Sequence, residues 1–290
     1  MKIVYHLGAH CTDDERLLRC LLKNRDPLAA LGVVVPGPNK YRALLRDTAI
    51  TLNGQPASED TQVMVLDQIM EEDQADRLIL SWENFLSFPG WAIKDGLYLA
   101  AAERIRAFAQ IFPSMEAEFF LAIRNLSTFL PELYSKQKDM PVKEFLAQAD
   151  IFSLRWSDMI EDIHRLNPGI PLTIWCDEDT PLLWPDVLQA VSGCPDGTAL
   201  EGSDELLTTL MSAEGYSRMS TYLSTHPPAN RQQWRRVISA FLDKFSVPEA
   251  VEMEIDFPGW TEATLAQLTA NYMDDIAQIR KMPGVKLLMP

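Results

Sequence analysis

Basic side chains are in short supply in this sequence. Lysine and arginine number 26 against 41 aspartates and glutamates, a formal net charge of −15, which leaves no general attraction for nucleic-acid phosphates or anionic lipid. A local basic cluster, Arg231, Arg235 and Arg236, reads as a solvated helix face. Cysteine is scarce as well. Cys11, Cys20, Cys176 and Cys194 form no C-x-x-C pair and no framework spacing, which excludes a zinc knuckle and a disulfide scaffold and fits reduced thiols in a cytoplasm. No apolar run is long enough to span a bilayer, and no basic-then-apolar leader precedes the first strand-like residues. The expectation is a cytoplasmic protein without nucleic-acid or membrane partners. Internal repeats, low-complexity tracts and a metal-ligand spacing such as H-E-x-x-H are absent too.

What is present is apolar residue in quantity: 47% of 290 positions, ample for a buried core in one large domain or a domain with a helical extension. Apolar runs and helical spacings alternate through the first two thirds. A strand at 2–7 leads to a helix at 13–24, and the short strand LGVVV stops at PGP. A polar stretch follows, and Ser58 then caps a helix carrying Val63, Leu66, Ile69 and Met70. DRLILSW is the next strand, LYLAAAERIRAFAQIF a long helix, and EAEFFLAIR a central strand. Helices at 128–138 and 152–167 precede the strand PLTIWC, and Thr180 with Pro181 reads as cap and first residue of a helix that Gly193 ends. Buried strands separated by helices imply an α/β fold, a mainly parallel sheet covered on both faces. Beyond residue 200 the character becomes mainly helical, at 204–224, 230–245 and 261–282, with one candidate strand at VEMEID. Residues 1–200 therefore read as the α/β core and 201–290 as a helical portion packed on it.

The turn out of the first strand reads HLGAHCTDDERLL, from His6 to Leu18. A strand, a glycine loop and a helix are the layout that holds phosphate on free backbone N–H groups at a helix N-terminus. Lysine is missing from this loop, and Asp13, Asp14 and Glu15 stand in its second half. T-x-x-E at Thr12–Glu15 also spells a capping box, in which the loop's own side chains satisfy those N–H groups.

With His6-Leu7-Gly8-x-His10 after a strand, then LLKNRDPLAALGVVVPGP, SWENF, and FFLAIR before a helix with Tyr134, the chain resembles the bacterial branch of the sulfotransferase family. The likeness is clearest in the first forty residues and around Arg124. It implies a nucleotide-kinase-like α/β fold and transfer of a sulfuryl group from 3′-phosphoadenosine-5′-phosphosulfate (PAPS) to a hydroxyl or amine. It also implies a loop in which lysine, threonine, glycine and hydroxyls grip the 5′-phosphosulfate, while an arginine and a serine eight residues on hold the 3′-phosphate. His6, Gly8, His10, Thr12 and Arg124 match that pattern; Cys11 stands at the lysine, Asp13, Asp14 and Glu15 at the glycine and hydroxyls, and Glu132 at the serine. A phosphate there meets repulsion on the order of 1–4 kcal/mol per carboxylate at ~4 Å. His6, Gly8, Cys11, Thr12 and Arg124 are thus the remnant of a cofactor site. The expectation is a sulfotransferase-like binding or interaction protein that uses no cofactor, with a small molecule or protein as partner. The expected arrangement is Arg124 neutralised by Glu132 or Asp13.

The alternative is a divergent transferase in the same cleft, using PAPS, with Glu83 of SWENF as general base assisted by His10. Cys11 ahead of a helix N-terminus is a candidate nucleophile or, more economically, a small loop residue. A metal site built from His6, His10 and Cys11 competes with structural roles for them and is not expected. The acidic run CDEDTP reads as a solvated loop leading to Thr180, with a cation or basic partner as the alternative. Trp82, Trp91, Trp156, Trp175 and Trp184 read as core or cleft lining.

Overall fold

The computed structural model describes residues 1–137, 140–146, 149–251, 255 and 257–290. The elements in chain order are β1 (Lys2–His6), α1 (Arg16–Lys23), α2 (Arg25–Ala29), β2 (Val33–Val34), α3 (Pro38–Leu52), α4 (Glu59–Ile69) and β3 (Arg77–Ser81). Then come α5 (Ala101–Ala109), β4 (Glu116–Ile123), α6 (Leu126–Ser135), α7 (Val142–Phe145), α8 (Trp156–Leu166), β5 (Leu172–Cys176) and α9 (Thr180–Ser192). The last third holds α10 (Glu205–Leu210), α11 (Ala213–Thr225), α12 (Arg231–Phe245), α13 (Pro248–Val251), α14 (Glu262–Ile279) and β6 (Val285–Leu287).

Six parallel strands pair in the order β2-β3-β1-β4-β5-β6. β1 lies between β3 and β4, with Tyr5 opposite Leu80 on one side and Phe119 on the other. Its side chains alternate between two cores: Ile3 and Tyr5 join the cluster under α3, α5, α6, α8 and α14, and Val4 joins the one under α1 and α9. A strand buried on both faces has to be apolar at successive positions, which is why these strands read as continuous runs. From β1 the chain moves outward to β2, returns through β3, and then crosses to β4 on the far side. The connections diverge between β1 and β4, and open α/β sheets leave their ligand crevice at the carboxyl ends of such a pair. This order is compatible with a P-loop-like fold.

Several elements differ from expectation. The polar stretch after PGP is the fifteen-residue helix α3, with Gly37 and Pro38 at its start; Tyr41 and Leu45 are buried and Leu44, Ala49 and Leu52 pack partly buried beside them, a helical stripe set among charged and hydroxyl residues. Thr180 is the first residue of α9, entered directly from a 3₁₀ turn at Asp177–Asp179, so it does not cap. Ser58 does cap α4, accepting from the Thr61 N–H, and Gly193 ends α9 with φ 69°. The stretch 204–224 divides into α10 and α11, where Met211 bridges to Ser246. The proposed strand VEMEID falls largely on residues outside those described, whereas β6, which the sequence did not announce, extends the sheet beside β5. The C-terminal portion is mostly helical. Its α14 buries Leu268, Tyr272 and Ile279 in the main core, while α10, α11 and α12 gather a small cluster of Leu207, Met211, Met219 and Ile238. Among the described residues, no helix is long and apolar enough to cross a membrane.

Candidate functional site

The loop leaving β1 is tightly wound. Gly8, Cys11, Asp14 and Glu15 all have φ between 47° and 61°, a region where three non-glycine residues so close together are uncommon and strained. The capping box read from Thr12–Glu15 does not form. The Thr12 hydroxyl donates back to the Ala9 carbonyl (2.7 Å), and the left-handed Glu15 turns outward to Arg42 at 2.6 Å. Asp13 takes the capping role instead, its carboxylate accepting the Leu17 N–H at 3.0 Å. The physical reason is backbone: a box requires an extended N-cap followed directly by a helical turn, and the left-handed pair Asp14–Glu15 interrupts that turn. Burial pushes the Asp13 carboxyl up to about 6 against the pull of the Leu17 N–H.

His6, His10 and Cys11 are all buried around this loop. His10 lies between Tyr98 and Asn84: Nδ1 is 2.6 Å from the Tyr98 hydroxyl, which also accepts the His10 backbone N–H, and Nε2 is 3.1 Å from Asn84 Oδ1. That network fits a neutral imidazole with its proton on Nε2, and burial lowers its tendency to charge against the opposing field of Glu83. His6 is buried, bonded through Nδ1 to Ser81 Oγ at 2.8 Å and stacked on Trp175; burial drops it to about 4. Cys11 is buried and burial pushes its thiol up to about 12. Nucleophilic chemistry needs the thiolate, the form that burial disfavours at Cys11.

Arg124 leaves the end of β4 and is engaged on several sides. Its Nη1 lies 2.5 Å from Glu132 Oε2 and also bonds the Cys11 carbonyl, and its Nε donates to Thr128 Oγ1 at 3.1 Å. Lys136, one turn beyond Glu132 at the C-cap of α6, reaches the loop with Nζ 2.9 Å from Asp14 and 3.6 Å from Glu132. Lys136 escaped the sequence reading. Its only trace there is the i, i+4 spacing from Glu132, common on any solvated helix.

Asp14, Arg124, Thr128 and Glu132 line a cleft of about 1060 Å³ at the carboxyl ends of β1, β4 and β5. Cys11, Thr12 and Arg124 stand on its wall, as do Asp177 and Glu178 from the turn after β5. Leu206, Leu210, Leu242, Asp243, Glu249 and Val251 from α10, α12 and α13 line it as well. The CDEDTP run is therefore a 3₁₀ turn facing a cleft rather than a solvated loop. Glu178 accepts the Asn125 N–H (2.7 Å) and the Tyr272 hydroxyl (3.0 Å), and burial raises Asp177 to about 8 although Arg124 draws it down. The sequence offered both a solvated loop and a cation-facing one for this run, because an acidic run looks the same whether it meets water or a cavity.

Glu83 stands elsewhere. It is exposed, in a 3₁₀ turn after β3, near Gly8 and His10, and neither it nor His10 lines the cleft that holds Arg124. Of the tryptophans, Trp156 is core and donates from Nε1 to the Arg124 carbonyl at 2.8 Å, Trp175 and Trp184 are core, Trp82 is half-buried, and Trp91 is 62% exposed. Among the described residues, no group of three or more His, Cys, Asp or Glu is arranged to hold a metal ion. The molecule is thus an α/β protein with an acid-lined cleft at the carboxyl edge of a parallel sheet. Protein-family models, curated proteins and solved structures were all compared with the chain, and none matches it.

Proposed function

We propose that this chain is a sulfotransferase-like protein whose anion site is closed by its own carboxylates, and that it works as a binding or interaction protein for a neutral or cationic ligand in the cleft. The observation that carries this reading is the 2.5 Å contact of Arg124 with Glu132. In the resemblance, position 124 gives its charge to the 3′-phosphate and position 132 gives a hydroxyl; here the two neutralise each other. PAPS does not fit these residues: its 5′ end would meet Asp13 where backbone N–H groups should be free, and Cys11, a neutral thiol, where a lysine should stand.

The reading as a divergent transferase with Glu83 as base is less well supported. A general base must reach the reacting proton where another group stabilises developing charge. Glu83 lies off the cleft, and the imidazole of His10 is engaged at both nitrogens. Calorimetry with the desulfated nucleotide 3′-phosphoadenosine-5′-phosphate tests the proposal. No binding heat is expected at roughly millimolar ligand, and a dissociation constant on the order of micromolar would overturn the closed-site reading.

A further inference from the structure

The segment after β3 holds two large aromatic rings in water. Phe88 is 39% exposed and Trp91 62% exposed, at the two ends of one 3₁₀ turn, and the rings meet edge to face with centroids 5.9 Å apart. The Arg104 guanidinium of α5 lies over the Phe88 ring, 5.4 Å from its centroid. Arg104 is half-buried, its Nη2 donates to the Asn84 carbonyl at 2.7 Å, and its Nε is buried without an acceptor. Its Nη1 is neither buried nor hydrogen-bonded among the described residues. No ion pair among the described residues engages it, although the chain carries 41 acids. A guanidinium drawn partly out of water calls for a carboxylate, and the fold supplies none here.

We propose that Phe88, Trp91 and Arg104 form a docking surface for an acidic peptide segment of a partner protein, whose carboxylate meets Arg104 Nη1 while an adjacent apolar side chain covers Trp91. Tryptophan and arginine are the side chains that most often carry the binding energy of protein interfaces, and an open nitrogen on a guanidinium beside exposed rings asks for both an anion and an apolar group. Charge decides between this occupant and others. An anionic bilayer or a second copy would bring its whole negative field against a chain of net charge −15, whereas a short segment brings one or two carboxylates to Arg104. None of the three residues lines the cleft, so the inference goes beyond the closed-site reading and stands or falls separately from it.

Selection of a phage-displayed random peptide library on the full chain tests this, followed by fluorescence anisotropy of the enriched peptides at low salt. Expected are sequences with Asp or Glu beside an aromatic or aliphatic residue, bound with a dissociation constant on the order of micromolar, and affinity at least roughly tenfold weaker in Trp91→Ala and in Arg104→Gln. Tyr222→Ala, at an exposed aromatic on α11, leaves affinity unchanged. Trp91 stands in water, so its variant keeps the fold and decides the matter even if Arg104→Gln does not fold. The inference is overturned if no acidic sequence is enriched, or if the enriched peptides bind Trp91→Ala as tightly as the parent. It is overturned as well by a dimer of the parent chain in sedimentation velocity that Trp91→Ala dissolves, or by binding to phosphatidylserine vesicles that the same variant abolishes; the first assigns the surface to a second copy and the other to a lipid surface.

Discussion

Arg124 and Glu132 show how a single position changes what its partner can do. A guanidinium at a strand end beside a serine is an anion receptor; beside a carboxylate it is half of an internal pair. Both members are largely shielded, with side-chain exposures of 13% and 23%. Glu132→Gln removes the carboxylate that meets Arg124 Nη1 and should lower stability by about 1–3 kcal/mol in urea denaturation. At the same scale, Asp177 sets a pH dependence. Its folded value of about 8 lies above the ordinary 3.8, so between those values the folded state holds more proton than the unfolded one. Stability is then greatest on the acid side and falls as pH rises through 8. From pH 6.5 to 9 this group should cost roughly 2 kcal/mol, and Asp177→Asn should flatten the slope of a thermal-melt series over that range. A parent protein equally stable at both ends would show that Asp177 is solvated.

At the level of elements, the unusual dependence is that of α8 on α14. The Asp275 carboxylate accepts the Trp156 N–H at 2.6 Å and the Ser157 N–H at 3.1 Å, capping α8 from a helix 119 residues further along the chain. Asp275 is 3% exposed, so its removal leaves two donors without water to replace it. Asp275→Ala should therefore cost about 2–3 kcal/mol, more than an ordinary surface cap, and Asp275→Asn noticeably less. The start of α1 offers the contrasting case. Asp13→Ala removes the acceptor of the Leu17 N–H and should cost about 0.5–2 kcal/mol, whereas Glu15→Ala, which loses only a partly exposed pair with Arg42, should cost less than about 1 kcal/mol. Equal costs would restore the capping box.

For the whole molecule, the closing elements matter more than their position in the chain suggests. α14 fills the main core, and β6 adds the sixth strand through the Leu172–Val285 and Ile174–Leu287 pairs. A chain ending at residue 200 would expose those core side chains together with the edge of β5. It should lose the cooperative thermal transition of the full chain and bind a hydrophobic dye; a sharp melt would show the first two hundred residues to be self-sufficient. The acid-lined cleft also exists only at this scale, since its lining is drawn from residues 11–132 and 177–251.

Taken alone, the sequence determined the parts governed by local periodicity and residue chemistry. Continuous apolar runs such as EFFLAI and LTIWC specify buried parallel strands, and Ser58 and Gly193 punctuate helices. Tertiary structure decided what depends on neighbours distant in the chain. Left-handed backbone at Asp14 and Glu15 moved the cap from Thr12 to Asp13; Lys136 reached across to the loop; and β6 found a place beside β5. The same distinction separates Asp177 from Glu83. Both are acids following a strand, and only the packing of α10, α12 and α13 over the sheet edge put one in a shielded cleft and left the other in water. Charge and hydropathy are properties of a residue, but the dielectric around it is a property of the fold.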